Sequence, residues 1–234
     1  MRQEQVADGK IQADGNGGAR DGAHSGPDRE DTAHSAPGGE EGHEALTVSY
    51  ERLRHSTDEE ELHEFARHPL PDRSDQAAFS RFTALLEAVA GNAHTPVDDR
   101  VFLAGTMPFP NILVKLSQDV EPAVRRAVAA NTADKNWLVG LLTKDPDPSV
   151  RAAALVNPMT SWKMRLEGAE DPRTDRVTLA FLSELGVDRE PDAPAVLASM
   201  VRRAVALNPN TDPAILDRLR TDPSGEVARA ASGR

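Results

Sequence analysis

A valine-arginine segment that returns at a fixed spacing constrains this chain more than any other feature. VRRAVAANTA begins at Val124, VRAAALVNPM at Val150 and VRRAVALNPN at Val201, and EVARAAS surrounds Val227. Val124 to Val150 is 26 residues, Val150 to Val201 is 51, and Val201 to Val227 is 26 again. A chain with such a period is built from small units, each unable to bury its apolar face alone, so neighbours must stack. The 51-residue gap leaves room for one further member. DRVTLAFLSELG fills it on this spacing, with Asp175 and Arg176 in register, and DRVFLAGTMP supplies Asp99 and Arg100 one period earlier.

Each unit reads as two short helices. The first carries apolar residues at i, i+3 and i+4, as in Val124, Ala127 and Val128 or Val201, Ala204 and Val205. It stops at Asn157-Pro158 and Asn208-Pro209, where proline forces the residue before it out of helical geometry, or at Asn131-Thr132 in the same register. The second helix is expected to bury Leu138, Leu141 and Leu142 in one unit and Ile215, Leu216 and Leu219 in another, before an Asp-Pro turn. Aromatic residues make up only 4% of the chain, and small or aliphatic residues suit close helix packing, which favours an all-α fold. Upstream of the units, Thr57 to Glu60 has the form of a capping box, and Ser74 or Asp75 opens a second helix burying Phe79, Phe82, Leu85, Leu86 and Val89. These larger residues predict a helical N-terminal cap over 47–94, with the repeats occupying 95–234.

Residues 1–46 hold ten acidic and four basic side chains and almost no large apolar ones, so a disordered acidic tail is expected there. They contain a degenerate ten-residue duplication, DGAHSGPDRE then DTAHSAPGGE, that spaces His24, His34 and His43. A solvated linker accounts for it without a metal. The tail carries −6 of the total −11, which argues against broad nucleic-acid binding, since that relies on neutralising phosphates. No cysteine is present, no apolar run approaches the roughly 20 residues of a membrane span, and the N-terminus lacks the apolar stretch of a secretory signal. The expected location is cytoplasmic, without membrane contact.

An aspartate five residues before Val-Arg (Asp119 before Val124-Arg125, Asp145 before Val150-Arg151), followed by Asn-Pro-x-Thr, resembles the HEAT-like repeats. It is most similar to their leucine-rich repeat variant branch, found in bacterial proteins, over roughly residues 95–234. The resemblance implies a short right-handed α-solenoid of two-helix repeats of about 25–26 residues. It also implies that the polar row Asp119, Arg125, Asp145, Arg151, Arg176 and Arg202 bridges neighbouring turns structurally. Two departures stand out. Asp171 lies five residues before Arg176 itself, and Val227 is followed by Ala228 with Arg229 one step late. Some variant-repeat proteins carry a cluster-binding cysteine module, which a chain without cysteine cannot share.

Trp137 and Trp162 are the only tryptophans and open helices in successive units, on the helix that lines the concave face in such arrays. Exposed indoles would anchor a partner; packed ones would serve the stack. Lys163, Arg165 and Arg218 give these helices a mild basic bias, and Arg126, Arg202 and Arg203 could leave a basic edge. No phosphate-cradling loop, nucleophile elbow or paired metal histidines occur. The chain is therefore expected to be a non-catalytic scaffold binding a protein partner, without cofactor or metal. The competing expectation is a nucleic-acid-binding helical-repeat protein, or a relative of the HEAT-like alkylpurine DNA glycosylases, which use tryptophans and an aspartate on the concave face.

Overall fold

A computed structural model describes residues 44–133 and 137–234. The tail histidines and the duplication therefore lie outside the described residues. Among those described, all regular structure is helical. The helices are Leu46–His55 (α1), Glu59–Arg67 (α2), Gln76–Ala90 (α3), Val97–Thr106 (α4), Pro110–Leu116 (α5), Pro122–Ala130 (α6) and Leu138–Leu142 (α7). They continue with Pro148–Val156 (α8), Trp162–Glu170 (α9), Arg176–Leu182 (α10), Ala195–Leu207 (α11), Pro213–Leu219 (α12) and Gly225–Ser232 (α13).

Local signals fix most starts. Asp75, Asp147, Asp175 and Asp212 accept bonds from the first free N–H groups of α3, α8, α10 and α12. Proline occupies the first turn of α5, α6, α8 and α12, where its missing N–H costs nothing. The expected capping box at Thr57 is displaced by one residue. Asp58 is the cap of α2, accepting from Glu60 and Glu61 N–H, and its negative charge suits a helix start.

The ends of the helices reveal how the units join. The last carbonyls of a helix have no partner within it. Asn157, just past α8, donates from Nδ2 to Ala129 O (2.8 Å) and Asn131 O (3.0 Å) at the end of α6, while its Oδ1 accepts Met159 N–H (2.8 Å). Asn131 does the same for Ala104 O and Met107 O after α4, Asn208 for Ala169 O and Asp171 O after α9, and Asn92 for Leu53 O and Ser56 O after α1. A threonine three residues past Asn92, Asn157 and Asn208, and past Asp171 after α9, closes the helix's own end. Thr95, Thr160, Thr174 and Thr211 donate to Val89 O, Ala154 O, Gly168 O and Val205 O at 2.5–2.7 Å.

These amide clamps sort the helices into three runs. α1 is clamped to α3; α6 packs between α4 and α8; α11 packs between α9 and α13. The helices α2, α5, α7, α10 and α12 connect clamped helices within a run. Between runs, α3 passes directly to α4 and α8 directly to α9. The core divides at the second of these joins. Buried residues from Leu53 to Ala154 form one apolar cluster, and those from Ala169 to Ala231 form another.

This arrangement corrects the even spacing expected from sequence. α10 does not occupy the Val-Arg register; α9 does, as a clamped helix, and α10 connects it to α11. The join is tight. A Cβ on Gly168 of α9 would lie 2.3 Å from Leu155 Cδ2 of α8, so any larger residue there would force the buried Leu155 side chain to shift. Past α10, Gly186 turns at φ +73° where a Cβ would meet that of Ala198 at 2.6 Å. The loop then carries Glu190, itself at φ +47°, back toward α9.

Candidate protein-interaction surface

The arginine row is internal to the stack. Arg100 pairs with Asp119 (3.0 Å), Arg125 with both oxygens of Asp145 (2.8 and 3.0 Å), and Arg202 with both of Asp222 (2.7 and 3.0 Å). Each arginine thus reaches the acid about twenty residues ahead, on the far side of the connecting helix. Its other end donates to carbonyls of the preceding turn, as Arg125 does to Asp119 O and Arg202 to Leu185 O. The Asp145 carboxylate holds the Arg125 guanidinium above its ordinary pKa. Arg151 makes the backbone bonds, to Asp145 O and Pro146 O. Asp171, which stands where its acid would be, is taken by Arg173 at 2.8 Å and pushed down to about 2, chiefly by that hydrogen-bonded pair.

Arg176 is not in the row. Its side chain is 75% exposed and 4.0 Å from Asp212, because α10 is a connecting helix. The member that replaces it is Arg165 of α9, only 1% exposed, which donates to both oxygens of Glu190 (2.7 and 2.8 Å) and to Asn157 O (3.1 Å). Arg165 therefore lies inside the stack and is unable to meet a partner as expected. Arg218 is also engaged, with Glu184 (3.1 Å) and Ser183 Oγ. Lys163 is free of such burial, with a side chain 80% exposed.

The two tryptophans are not equivalent. Trp162 opens the clamped helix α9, packs against the second core cluster, and carries the Arg165 guanidinium 4.8 Å over its ring. Trp137 stands at the start of the connecting helix α7 and is 62% exposed. Leu141, expected to be buried, is 63% exposed instead. The five-residue α7 covers the core with Leu138, Val139 and Leu142, and its remaining face projects Trp137 and Leu141 one turn apart, at i and i+4.

Polar groups border this apolar pair. Lys144, three residues after Leu141, binds Glu167 of α9 at 2.8 Å, and Lys163 reaches the same carboxylate at 4.0 Å. The Lys144 hydrogen bond, then the charges of both lysines, hold Glu167 below its ordinary pKa. Thr143 Oγ1 lies 3.8 Å from Met164 Sδ, completing the seam between α7 and α9. The result is a solvent-facing indole and leucine beside two lysines that share one carboxylate. Such a surface can bury apolar area against another protein and orient it by charge; among the described residues no helix is long and apolar enough to cross a membrane.

The exposure of Leu141 and the role of α9 were both missed by period counting. The signal for α9 was present: Met164-Arg-Leu-Glu-Gly-Ala-Glu-Asp171-Pro-Arg-Thr174 follows Val150 to Thr160 position by position, at an offset of 14 residues instead of 26.

Residues 201–224, which span the end of α11, the Asn208 clamp and α12, match the model of the leucine rich repeat variant, a HEAT-like helical repeat family. No curated protein and no solved structure matches the chain.

Proposed function

We propose that this chain, a helical array with a leucine rich repeat variant unit, is a non-catalytic scaffold that docks a protein partner on the face of α7. The observation that carries this is the exposure of Trp137 and Leu141 side by side on one short helix. Tryptophan is among the side chains that dominate binding energy at protein interfaces when a partner excludes water around them, and Leu141 adds apolar area beside it. The leucine rich repeat variant is in general a non-enzymatic family, which supports the same reading. Lys144 and Lys163 form its polar rim.

The geometry gives little support to a nucleic-acid reading. Of the basic residues considered for it, Arg165 is buried against Glu190, Arg218 is paired with Glu184 and Lys163 lies 4.0 Å from Glu167, which leaves Arg126 and Arg203 exposed without an ion pair among the described residues, too few for a phosphate-binding strip. Phosphate binding depends on cations free to displace counterions. Only one tryptophan, Trp137, is well exposed, so a stacking platform of two indoles is not formed.

The test is a pull-down with the full chain, with and without nuclease, beside a Trp137→Ala/Leu141→Ala double variant. A stoichiometric protein that survives nuclease and is lost from the variant supports the scaffold. Recovery of nucleic acid, or a partner retained equally by the variant, refutes docking at α7.

A further inference from the structure

The change of run at α8–α9 leaves a second feature, which shares no residue with the Trp137 surface. α10 has only seven residues, and it packs on α8, α9 and α11 without filling the space beside α8. An open groove of about 520 Å³ remains there, lined by Ala152, Ala153 and Val156 of α8 and Val177 and Phe181 of α10, with Arg126 of α6 at its rim. Val177 is 81% exposed and stands beside Phe181 at the groove, so the two form a contiguous apolar patch open to solvent. The small residues of α8 let another backbone approach, and the ridge of an added helix would fit between them.

Charge decides what kind of helix. The carboxylates at the groove are already satisfied. Asp175 caps α10, accepting from the N–H groups of Val177 and Thr178 (both 2.9 Å) and from Thr178 Oγ1 (2.6 Å). Glu184 accepts from Arg189 (2.6 Å) and from Arg218 (3.1 Å), two cations for one anion. Arg189 in turn lies 4.6 Å over the Phe181 ring and keeps the rim positive. Arg126 is exposed and has no ion pair among the described residues. Of the charged residues lining the trough, Arg126 and Arg189 balance Asp175 and Glu184, and Arg218, which also binds Glu184 from α12, leaves the border with one cation in excess.

We propose that this groove receives the apolar face of an acidic amphipathic helix from a protein partner. Two turns of such a helix present apolar anchors at i, i+3 or i+4, and i+7, enough to cover Val177 and Phe181. A flanking Asp or Glu meets Arg126. The cationic rim favours acidic partners over basic ones and makes association salt-dependent.

The experiment is selection of displayed random 16-residue peptides on the full chain, with counter-selection on the Val177→Asp variant. Fluorescence anisotropy of the recovered peptides follows. Val177 and Arg126 are surface residues, so both variants should melt like the parent, which is checked first. The expected peptides carry helically spaced apolar residues with Asp or Glu between them. Val177→Asp should weaken their binding by at least about tenfold, since it places a charge against apolar surface. Arg126→Gln should weaken it by roughly three- to fivefold and flatten its salt dependence. Trp137→Ala should leave it unchanged. Recovery of basic peptides, equal binding to both groove variants, or no peptide sensitive to Val177→Asp would overturn the proposal.

Discussion

Replacing Asn157 by alanine tests the amide clamp, the interaction that repeats most regularly along the stack. The side chain is buried and makes three hydrogen bonds: two donated to Ala129 O and Asn131 O, one accepted from Met159 N–H. At roughly 1 kcal/mol net for each bond, the loss is about 3 kcal/mol, and more if water fails to reach the carbonyls left at the end of α6. In a domain of this size each kcal/mol moves the melting temperature by about 2–4 °C, so a fall of roughly 6–12 °C is expected. Circular dichroism melts and urea titrations measure it. Asn157→Asp gives an independent signature. It keeps the acceptor for Met159 N–H but sets a buried carboxylate against two carbonyl oxygens. That repulsion raises the carboxyl pKa, so the variant should be less stable than Asn157→Ala near pH 7 and recover as pH falls to 4. A loss below about 1 kcal/mol for Asn157→Ala, or no pH difference between the two variants, would refute the clamp as the joint between units.

Three other perturbations probe the join and the polar row. Arg165→Ala leaves Glu190 without its donor and Asn157 O with only the Thr160 N–H, and should cost about 3–5 kcal/mol, whereas Arg165→Met with Glu190→Leu should recover much of the loss in chemical denaturation. Gly168→Ala should destabilise by about 1–3 kcal/mol because its Cβ meets Leu155, while Gly105→Ala, with nothing within 4 Å, should stabilise α4 slightly; equal effects in paired melts would contradict the close approach. Asp171 titrates near 2 in the folded chain against an ordinary 3.8, so its contribution is full above 3.8 and is lost as pH falls toward 2. Asp171→Asn should therefore flatten the stability profile between pH 4 and 2 and leave the neutral range little altered in shape.

Much of the architecture is legible in the residues. The Val-Arg segments, the Asn-Pro stops and the proline-led starts define helices because they act within one or two turns. Residues 201–224, a unit with every element of the pattern, match the leucine rich repeat variant. The join at α8–α9 was obscured by arithmetic. An offset of 14 residues from Arg151 to Arg165, then 37 to Arg202, together span the 51 that mimics two even periods. Arg176 fell in that frame by spacing alone, whereas Arg165 carries the chemistry of the row, with an acid on an inserted loop that no period could locate. Leu141 fails for a different reason. A helix of five residues has too few turns for an apolar pattern to show which leucine faces out. The asparagines were legible as helix stops, but their inter-unit bonds join residues 24–39 positions apart and require the stack itself.

α7 is a connecting helix and α9 a clamped one, with Trp137 turned outward and Trp162 held in the stack. Single-tryptophan variants, Trp162→Phe and Trp137→Phe, measured by emission maximum and acrylamide quenching, test this directly. Trp137 should give red-shifted, readily quenched emission, and Trp162 blue-shifted, protected emission. Similar emission and quenching from both, as evenly spaced equivalent units would give, would contradict the change of run at α8–α9 and with it the placing of the docking surface on α7.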